Sequence, residues 1–124
     1  MILYIDTSER DKISIMVKKG EVIVCKKKFL AKFRQAEKLL VEIDKMLSLA
    51  GIKLKNIKEI KVENQGSGFT ALRIGVITAN ALGFALGIPV SAIKGESKKN
   101  NFGFSLIEPE YDREPTITLA KVKN

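Results

Sequence analysis

The sequence contains no histidine and a single cysteine, and these two shortages exclude several kinds of site. Histidine is the commonest general base and metal ligand in proteins, so its absence excludes a Ser-His-Asp hydrolase and a histidine-ligated zinc enzyme. One cysteine, Cys25, cannot form an internal disulfide, which suits a reducing compartment. We therefore expect a cytoplasmic protein in which Cys25 is a packed core residue.

Long apolar runs are missing as well. No run reaches the roughly 20 residues that a helix needs to cross a bilayer. The first residues, MILYIDTS, lack the basic flank and the long apolar stretch of a signal peptide, and they have the character of a strand. We expect no membrane partner.

Arginine is scarce although the chain is basic. The 124 residues carry 22 lysines and arginines against 14 aspartates and glutamates, for a net charge of +8, and only four of the basic residues are arginine. Bidentate recognition of phosphates and bases favours arginine over lysine. The preferred interpretation of the lysines is therefore a solvated surface. The runs at 18–19 and 26–28 leave a nucleic-acid-facing patch open as the alternative.

The hydrophobic pattern that is present predicts an α/β fold. Residues 2–6, 12–18 and 21–29 carry short apolar or alternating runs, which are typical of strands, and short polar connections between them predict hairpins. From residue 31 to residue 50 the apolar residues fall three and four apart, which predicts a helix ended by Gly51. Glu37, Glu42 and Asp44 are expected to be solvated charges on the outer face of this helix, with Lys38 and Lys45 nearby.

The second half of the chain repeats the alternation of strand and helix. Residues 57–62 and 88–93 are predicted strands, and 69–86 is a predicted helix that ends at Gly87, with Pro89 following. The order β-β-β-α-β-α-β gives a mixed five-stranded sheet with two helices packed on it, in which strands one, four and five are parallel. This is the ribonuclease-H-like layout, the half-unit of actin-like ATPases.

The chain divides into two parts on this pattern. Residues 1–94 form the predicted lobe, and residues 95–124 form a polar loop and a C-terminal tail. The tail holds two β-like pieces, at 104–107 and 116–120.

Small residues recur at every fourth position of the second helix, at Ala71, Gly75, Ala79 and Gly83. Glycine costs a helix about 1 kcal/mol relative to alanine, so such a stripe needs a packing reason. One reason is close packing against the chain's own first helix. The other is a groove that receives a helix of a different protein, and the nearly all-round apolar character of 69–86 favours it. We then expect Gly75→Leu or Gly83→Leu to leave the monomer folded while filling the groove.

The predicted partner interface follows from that groove and from the facing side of the first helix. It comprises Ala71, Arg73, Ile74, Gly75, Thr78, Ala79, Leu82, Gly83, Leu39 and Ile43.

Two polar segments are weaker candidates for a site. Asp6-Thr7-Ser8 resembles the first phosphate loop of actin-like ATPases, but a β-turn in which these side chains bond the backbone is favoured. The turn 66–68 precedes a helix and lacks the Lys-Ser/Thr of a P-loop, so a conformational role is favoured there too. Asp6 with Glu63 is too few carboxylates for a metal-dependent nuclease. We expect no catalytic residues, no metal and no cofactor.

The stretch from 65 to 90 resembles the TsaB (YeaZ) family, the non-catalytic partner in bacterial threonylcarbamoyladenosine tRNA modification. That family carries the motif G-P-G-S-F-T-G-L-R-I-G, which aligns with residues 65–75 of the present chain. The chain differs from the motif at 65–68 and at Ala71. The matching positions are Phe69, Thr70, Leu72, Arg73, Ile74 and Gly75, followed by Gly87-Ile88-Pro89-Val90 at the entry to the next strand. The strand end Ile5-Asp6-Thr7-Ser8 and the tail Pro109-Glu110-Tyr111-Asp112-Arg113-Glu114-Pro115, which is similar to the family's P-x-Y-x-R-x-P ending, extend the resemblance.

The resemblance implies a reduced family member that keeps the first lobe and the tail without the second lobe. It implies a protein that is not an enzyme but binds a TsaD-like subunit through its two helices, with a homodimer when alone, a TsaE-like ATPase as a further partner and tRNA as an indirect one. Two other functions stay open: a ribonuclease-H-like nucleotide-binding enzyme and a stand-alone basic RNA-binding module.

Overall fold

A mixed five-stranded sheet forms the centre of the computed structural model, which describes residues 1–9, 11–30, 35–66, 69–93 and 110–111. In chain order the elements are β1 (Ile2–Asp6), β2 (Lys12–Lys19), β3 (Val22–Leu30), α1 (Gln35–Ala50), β4 (Glu59–Val62), β5 (Gln65–Gly66), α2 (Phe69–Leu86), β6 (Val90–Ala92) and β7 (Glu110–Tyr111). The strand order in the sheet is β3-β2-β1-β4-β6, so β3 is an edge strand of the described sheet.

The pairing of the strands confirms the predicted topology. β1 pairs with β2 and β2 with β3 in antiparallel register, whereas β1, β4 and β6 run parallel. The two hairpins turn at Asp11 and Gly20, both with positive φ (61° and 62°). Glycine adopts this backbone freely, and aspartate is among the few other residues that tolerate it.

One face of the sheet carries the hydrophobic core, because side chains alternate between the two faces of a strand. The buried strand residues are Leu3, Ile5, Ile13, Ile15, Val17, Ile60, Val62 and Val90. Both helices cover this face, to which α1 contributes Leu39, Ile43, Met46 and Leu47, and α2 contributes Leu72, Val76 and Ala79. The opposite face of the sheet carries mostly polar and charged side chains.

Both long helices end in the same way. Gly51 and Gly87 have φ of 71° and 68°, a left-handed conformation that glycine favours at the position after a helix. The following residue then donates its N–H back into the last turn, Ile52 to Leu47 O at 2.9 Å and Ile88 to Gly83 O at 2.9 Å. The two helix ends predicted from glycine are thus confirmed.

An ion pair ties α1 to the sheet. Lys27 of β3 lies on the helix-covered side of its strand, and its Nζ bonds to Glu42 Oε1. The side chain of Glu42 is only 13% exposed, so the expectation of a solvated outer charge is wrong for this residue. Asp44 is exposed as expected. The hydrogen bond from Lys27 is the main cause that lowers the pKa of Glu42 below its ordinary value of 4.5.

Several predicted boundaries shift or lie outside the described residues. The fourth strand begins at Glu59 rather than 57, because Ile57 closes a 3-10 turn at Leu54–Asn56 by donating its N–H to Leu54 O at 3.0 Å. The last strand of the main sheet spans only Val90–Ala92. Residues 31–34 and the β-like pieces at 104–107 and 116–120 lie outside the described part of the chain. The division near residue 94 stays a prediction.

A second, two-stranded sheet was not predicted. Gln65 pairs with Glu110 and Gly66 with Tyr111 in parallel register. The segment of the tail that resembles the family ending thus meets the residues just before α2.

The Glu42–Lys27 pair predicts a dependence of stability on pH. A carboxyl whose pKa is lowered by folding stabilises the native state above its unfolded pKa, and this contribution is lost as the pH falls through the folded value. We expect the melting temperature of the wild type to fall more than that of Glu42→Gln between about pH 6 and about pH 3. Thermal unfolding followed by circular dichroism measures it. Asp44→Asn on the same helix is the control and should follow the wild type; parallel curves for the wild type and Glu42→Gln would contradict the prediction.

Candidate partner interface

The small-residue stripe of α2 faces the sheet. Gly75 lies against Thr7 at the end of β1, and a Cβ built on it would overlap the Thr7 hydroxyl and come within 2.9 Å of Thr7 Cγ2. Gly83 lies against β6, where an added Cβ would overlap Val90 Cγ2 and come within 3.1 Å of the Ile88 carbonyl oxygen. Separations this short leave no room for any side chain at either glycine.

The prediction of an outward groove for a foreign helix is therefore wrong. Ala71 and Ala79, the other members of the stripe, are 8% and 0% exposed. The stripe removes side chains where α2 lies closest to β1 and β6, so its purpose is internal packing against the sheet. The two helices are also in contact, so the alternative of packing against the first helix is not contradicted for Ala71 and Ala79.

Most of the other predicted interface residues are also inside the chain. Leu39 and Ile43 of α1 belong to the core, and Thr78 is buried. Ile74 and Leu82 are half-buried, and Arg73 is exposed. The expectation that this set forms an outer surface holds for Arg73 and holds in part for Ile74 and Leu82. It is wrong for the other residues of the set, which are buried. Which residues contact a partner stays a prediction.

A different set of apolar side chains points away from the core. Ile77 and Phe84 of α2 are 61% and 65% exposed, and their spacing of seven residues places them on one face of the helix. Leu40 and Val41 of α1 are each 50% exposed. We call Leu40, Val41, Arg73, Ile77 and Phe84 the helix-pair surface.

The sequence contained the signal for this surface. The apolar residues of 69–86 occur on all sides of the helix, which predicts that more than one side is covered. In the structure Ile77 and Phe84 are exposed, so a cover over the outer side stays a prediction. Glycine and alanine mark the side that must approach another element most closely. Assigning that side to the sheet leaves Ile77 and Phe84 on the outside.

The segment after β1 forms a turn stabilised by its own side chains. Asp6 Oδ1 accepts hydrogen bonds from the Ser8 N–H (2.9 Å) and from Ser8 Oγ (2.5 Å), the pattern of an Asx turn. Thr7 is fully buried beneath α2, and its hydroxyl has no hydrogen-bond partner among the described residues. This geometry agrees with a turn rather than a phosphate loop.

The other candidate polar residues in the described part of the chain do not form a catalytic or metal-binding group. Glu63 Oε2 accepts the Gln65 N–H at 3.2 Å, and Gly66 pairs in β5, while 67 and 68 lie outside the described residues. Within the parts of the chain that the structure describes, no three histidine, cysteine, aspartate or glutamate residues are grouped to hold a metal ion. Cys25 is half-buried against the core, and burial raises the pKa of its thiol. No helix among the described residues is long and apolar enough to cross a membrane.

The inward stripe reverses the expectation for the glycine substitutions. We predict that Gly75→Leu and Gly83→Leu destabilise the fold by about 1–3 kcal/mol or more, because the new side chain overlaps Thr7 or Val90. Ala81→Leu, at an exposed position of the same helix, is the matched control and should keep the stability of the wild type. Urea unfolding followed by circular dichroism measures all three variants. Equal midpoints for Gly75→Leu and Ala81→Leu would show that the stripe does not face the sheet.

Comparison with known proteins gives two kinds of similarity. A family model described as TsaD, tRNA N6-adenosine threonylcarbamoyltransferase, matches residues 30–95, just over half of the chain. No curated protein sequence matches it.

Two solved structures, both from Pseudomonas aeruginosa, have the same fold. One is YeaZ, with 27% sequence identity and a TM-score of 0.65. The other is described as an uncharacterized protein with similarity to peptidase YeaZ, with 26% identity and a TM-score of 0.68. Each similarity covers 74% of the present chain and 42% of the solved one, so the chain matches less than half the length of these structures.

Proposed function

The chain belongs to the TsaD family and is a TsaB/YeaZ-like protein, and from this membership we propose that it is a non-catalytic assembly subunit of the tRNA threonylcarbamoyladenosine modification system. The family match and the two YeaZ structures confirm the resemblance carried by residues 65–90, and they confirm the actin-like α/β fold. Membership links the chain to tRNA modification. We propose both the partner that this chain binds and its non-catalytic role in the system.

The proposed partner is a TsaD-like subunit that binds the helix-pair surface. This surface supports the proposal because its four apolar side chains are half exposed or more, and the burial of apolar area is the dominant favourable contribution in most protein–protein association. Clustered exposed apolar residues are typical of interaction sites, whereas single ones are ordinary. Phe84 supplies a large aromatic side chain and Arg73 a cationic edge, and both residue types are frequent where binding energy concentrates.

The same surface also supports self-association. In the absence of a TsaD-like subunit, two copies of the chain cover each other's helix-pair surfaces as a homodimer. The resemblance to the TsaB family, rather than this surface, supports a TsaE-like ATPase as a further subunit and tRNA as the substrate of the assembled complex. A specific interface of ordinary size buries about 1,200–2,000 Å² in total, which two helices of 16 and 18 residues are long enough to supply.

A role without catalysis is supported by the side chains available. The chain has no histidine. Asp6, which lies in the segment that resembles a phosphate loop, accepts two hydrogen bonds from Ser8. The alternative of a ribonuclease-H-like nucleotide-binding enzyme requires a cluster of metal-binding carboxylates. The described residues offer none, so that alternative has no observation in its favour.

Replacing the two exposed apolar side chains of α2 tests the proposal. We expect Ile77→Ser/Phe84→Ser to fold as the wild type does, because both side chains are mostly exposed, and to weaken binding to a TsaD-like subunit by on the order of 10–100-fold. Size-exclusion co-elution and titration calorimetry measure the loss.

The matched control is Val22→Ser/Leu30→Ser on β3. These side chains are 65% and 67% exposed, so the control removes similar apolar exposure from a different part of the molecule. It should bind the TsaD-like subunit with unchanged affinity. Equal affinities for the two double variants, or no complex with the wild type, would refute the proposed interface.

A further inference from the structure

The face of the sheet opposite the helices has a distinct composition. Strand alternation places Tyr4 and Asp6 of β1, Ser14 and Met16 of β2, and Lys26 and Lys28 of β3 on this side, since their neighbours in sequence face the core. The strand register aligns them in two rows, Tyr4-Met16-Lys26 and Asp6-Ser14-Lys28. Lys12 and Lys18 alternate onto the same side of β2.

Among the described residues, the lysines of this face have no acidic partner within ion-pair distance. Lys12, Lys26 and Lys28 are exposed, and none of them forms an ion pair within the described ranges. Lys27, between two of them, turns to the opposite side and pairs with Glu42. We call Lys12, Lys18, Lys26 and Lys28 the lysine face.

The other half of the same sheet face is neutralised. Lys61 Nζ on β4 lies 3.7 Å from Glu59 Oε2, and Ser91 Oγ on β6 donates to the same carboxylate oxygen at 3.2 Å. The unpaired positive charge therefore concentrates over β2 and β3. Asp6 is the acidic residue beside it, and its Oδ1 already accepts two hydrogen bonds from Ser8.

A cavity of about 660 Å³ opens on this side of the sheet. Its lining includes Tyr4, Asp6, Ser14, Met16, Lys26 and Lys28. Lys18 Nζ lies 5.8 Å from the centre of the Tyr4 ring, which shows that this lysine and the aromatic ring share the face. The concavity thus combines an aromatic and thioether floor with cations along one side.

We propose that the lysine face binds RNA directly, with lysine ammonium groups on backbone phosphates and the Tyr4-Met16 floor against a base or sugar. Lysine binds phosphate as a point charge without requiring bidentate geometry, so the binding is largely independent of sequence. An anionic membrane also attracts lysines, but a floor recessed between them suits a single chain of nucleotides better than a flat lipid surface. The choice of tRNA as the RNA depends on the proposed function, and it makes tRNA a direct partner.

Neutralising two lysines tests the proposal on the full chain without any partner subunit. We expect Lys26→Gln/Lys28→Gln to weaken tRNA binding about fivefold to twentyfold at low salt and to reduce the slope of log K against log salt by about 1 to 2. Fluorescence anisotropy with labelled tRNA between about 50 and about 200 mM salt measures both quantities.

The matched control is Lys55→Gln/Lys58→Gln, which makes the same change in net charge at two exposed lysines outside this face. It should keep the wild-type slope, and equal losses in the two double variants would overturn the proposal. Binding to phosphatidylserine vesicles without binding to tRNA would overturn it in favour of a membrane. Ile77→Ser/Phe84→Ser should bind tRNA as the wild type does, so failure of the helix-pair interface and failure of the lysine face give different results.

Discussion

The close approach of α2 to the sheet is the constraint on which the rest of the structure depends. At Gly75 and Gly83 the helix has no side chain, and Thr7 and Val90 occupy the space instead. These contacts fix the height of α2 above β1 and β6 at two points roughly two helical turns apart. With the sheet-facing side of the helix defined in this way, its opposite side is left to present Ile77 and Phe84 to the surroundings.

The two faces of the sheet are consequently used in different ways. The face covered by α1 and α2 contains the aliphatic core, and the outer sides of these helices carry exposed apolar residues. The opposite face is wet and cationic over β2 and β3. An apolar surface suits a protein partner because it gains from excluding water, whereas a lysine-rich surface suits a polyanion because it gains from releasing counterions. The two surfaces lie on opposite sides of one sheet, so both can be occupied at the same time.

The sequence predicted the architecture well because its signals are local and periodic. Alternation in β1 and β2, the apolar spacing in α1 and the glycines after both helices are each interpretable without tertiary information, and right-handed crossovers then determine the strand order. The β5–β7 pairing joins residues 65–66 to 110–111 and involves two residues on each side, so no periodic pattern marks it.

The site was less predictable because the sequence does not show which face of a helix packs against the sheet and which face is exposed. The small-residue stripe correctly indicated a close contact, but a contact with β1 and β6 and a contact with a foreign helix require the same glycines. Glu42 shows the same limit: its position in the helical pattern suggested solvent, and only the tertiary placement of Lys27 reveals the ion pair. The charge of Lys26 and Lys28 is evident from the sequence, but their position on the sheet face opposite to Lys27 follows only from strand alternation and the strand register.

The edge position of β3 has a consequence for colloidal behaviour. Its first third, Val22–Val24, exposes three β-branched side chains at the edge of the described sheet, a combination that favours the addition of strands from other molecules. The lysines that follow carry like charges on every copy, so they oppose the alignment of two such edges. Positive charge on this strand therefore opposes the joining of separate molecules into an extended sheet, whatever ligand it also attracts.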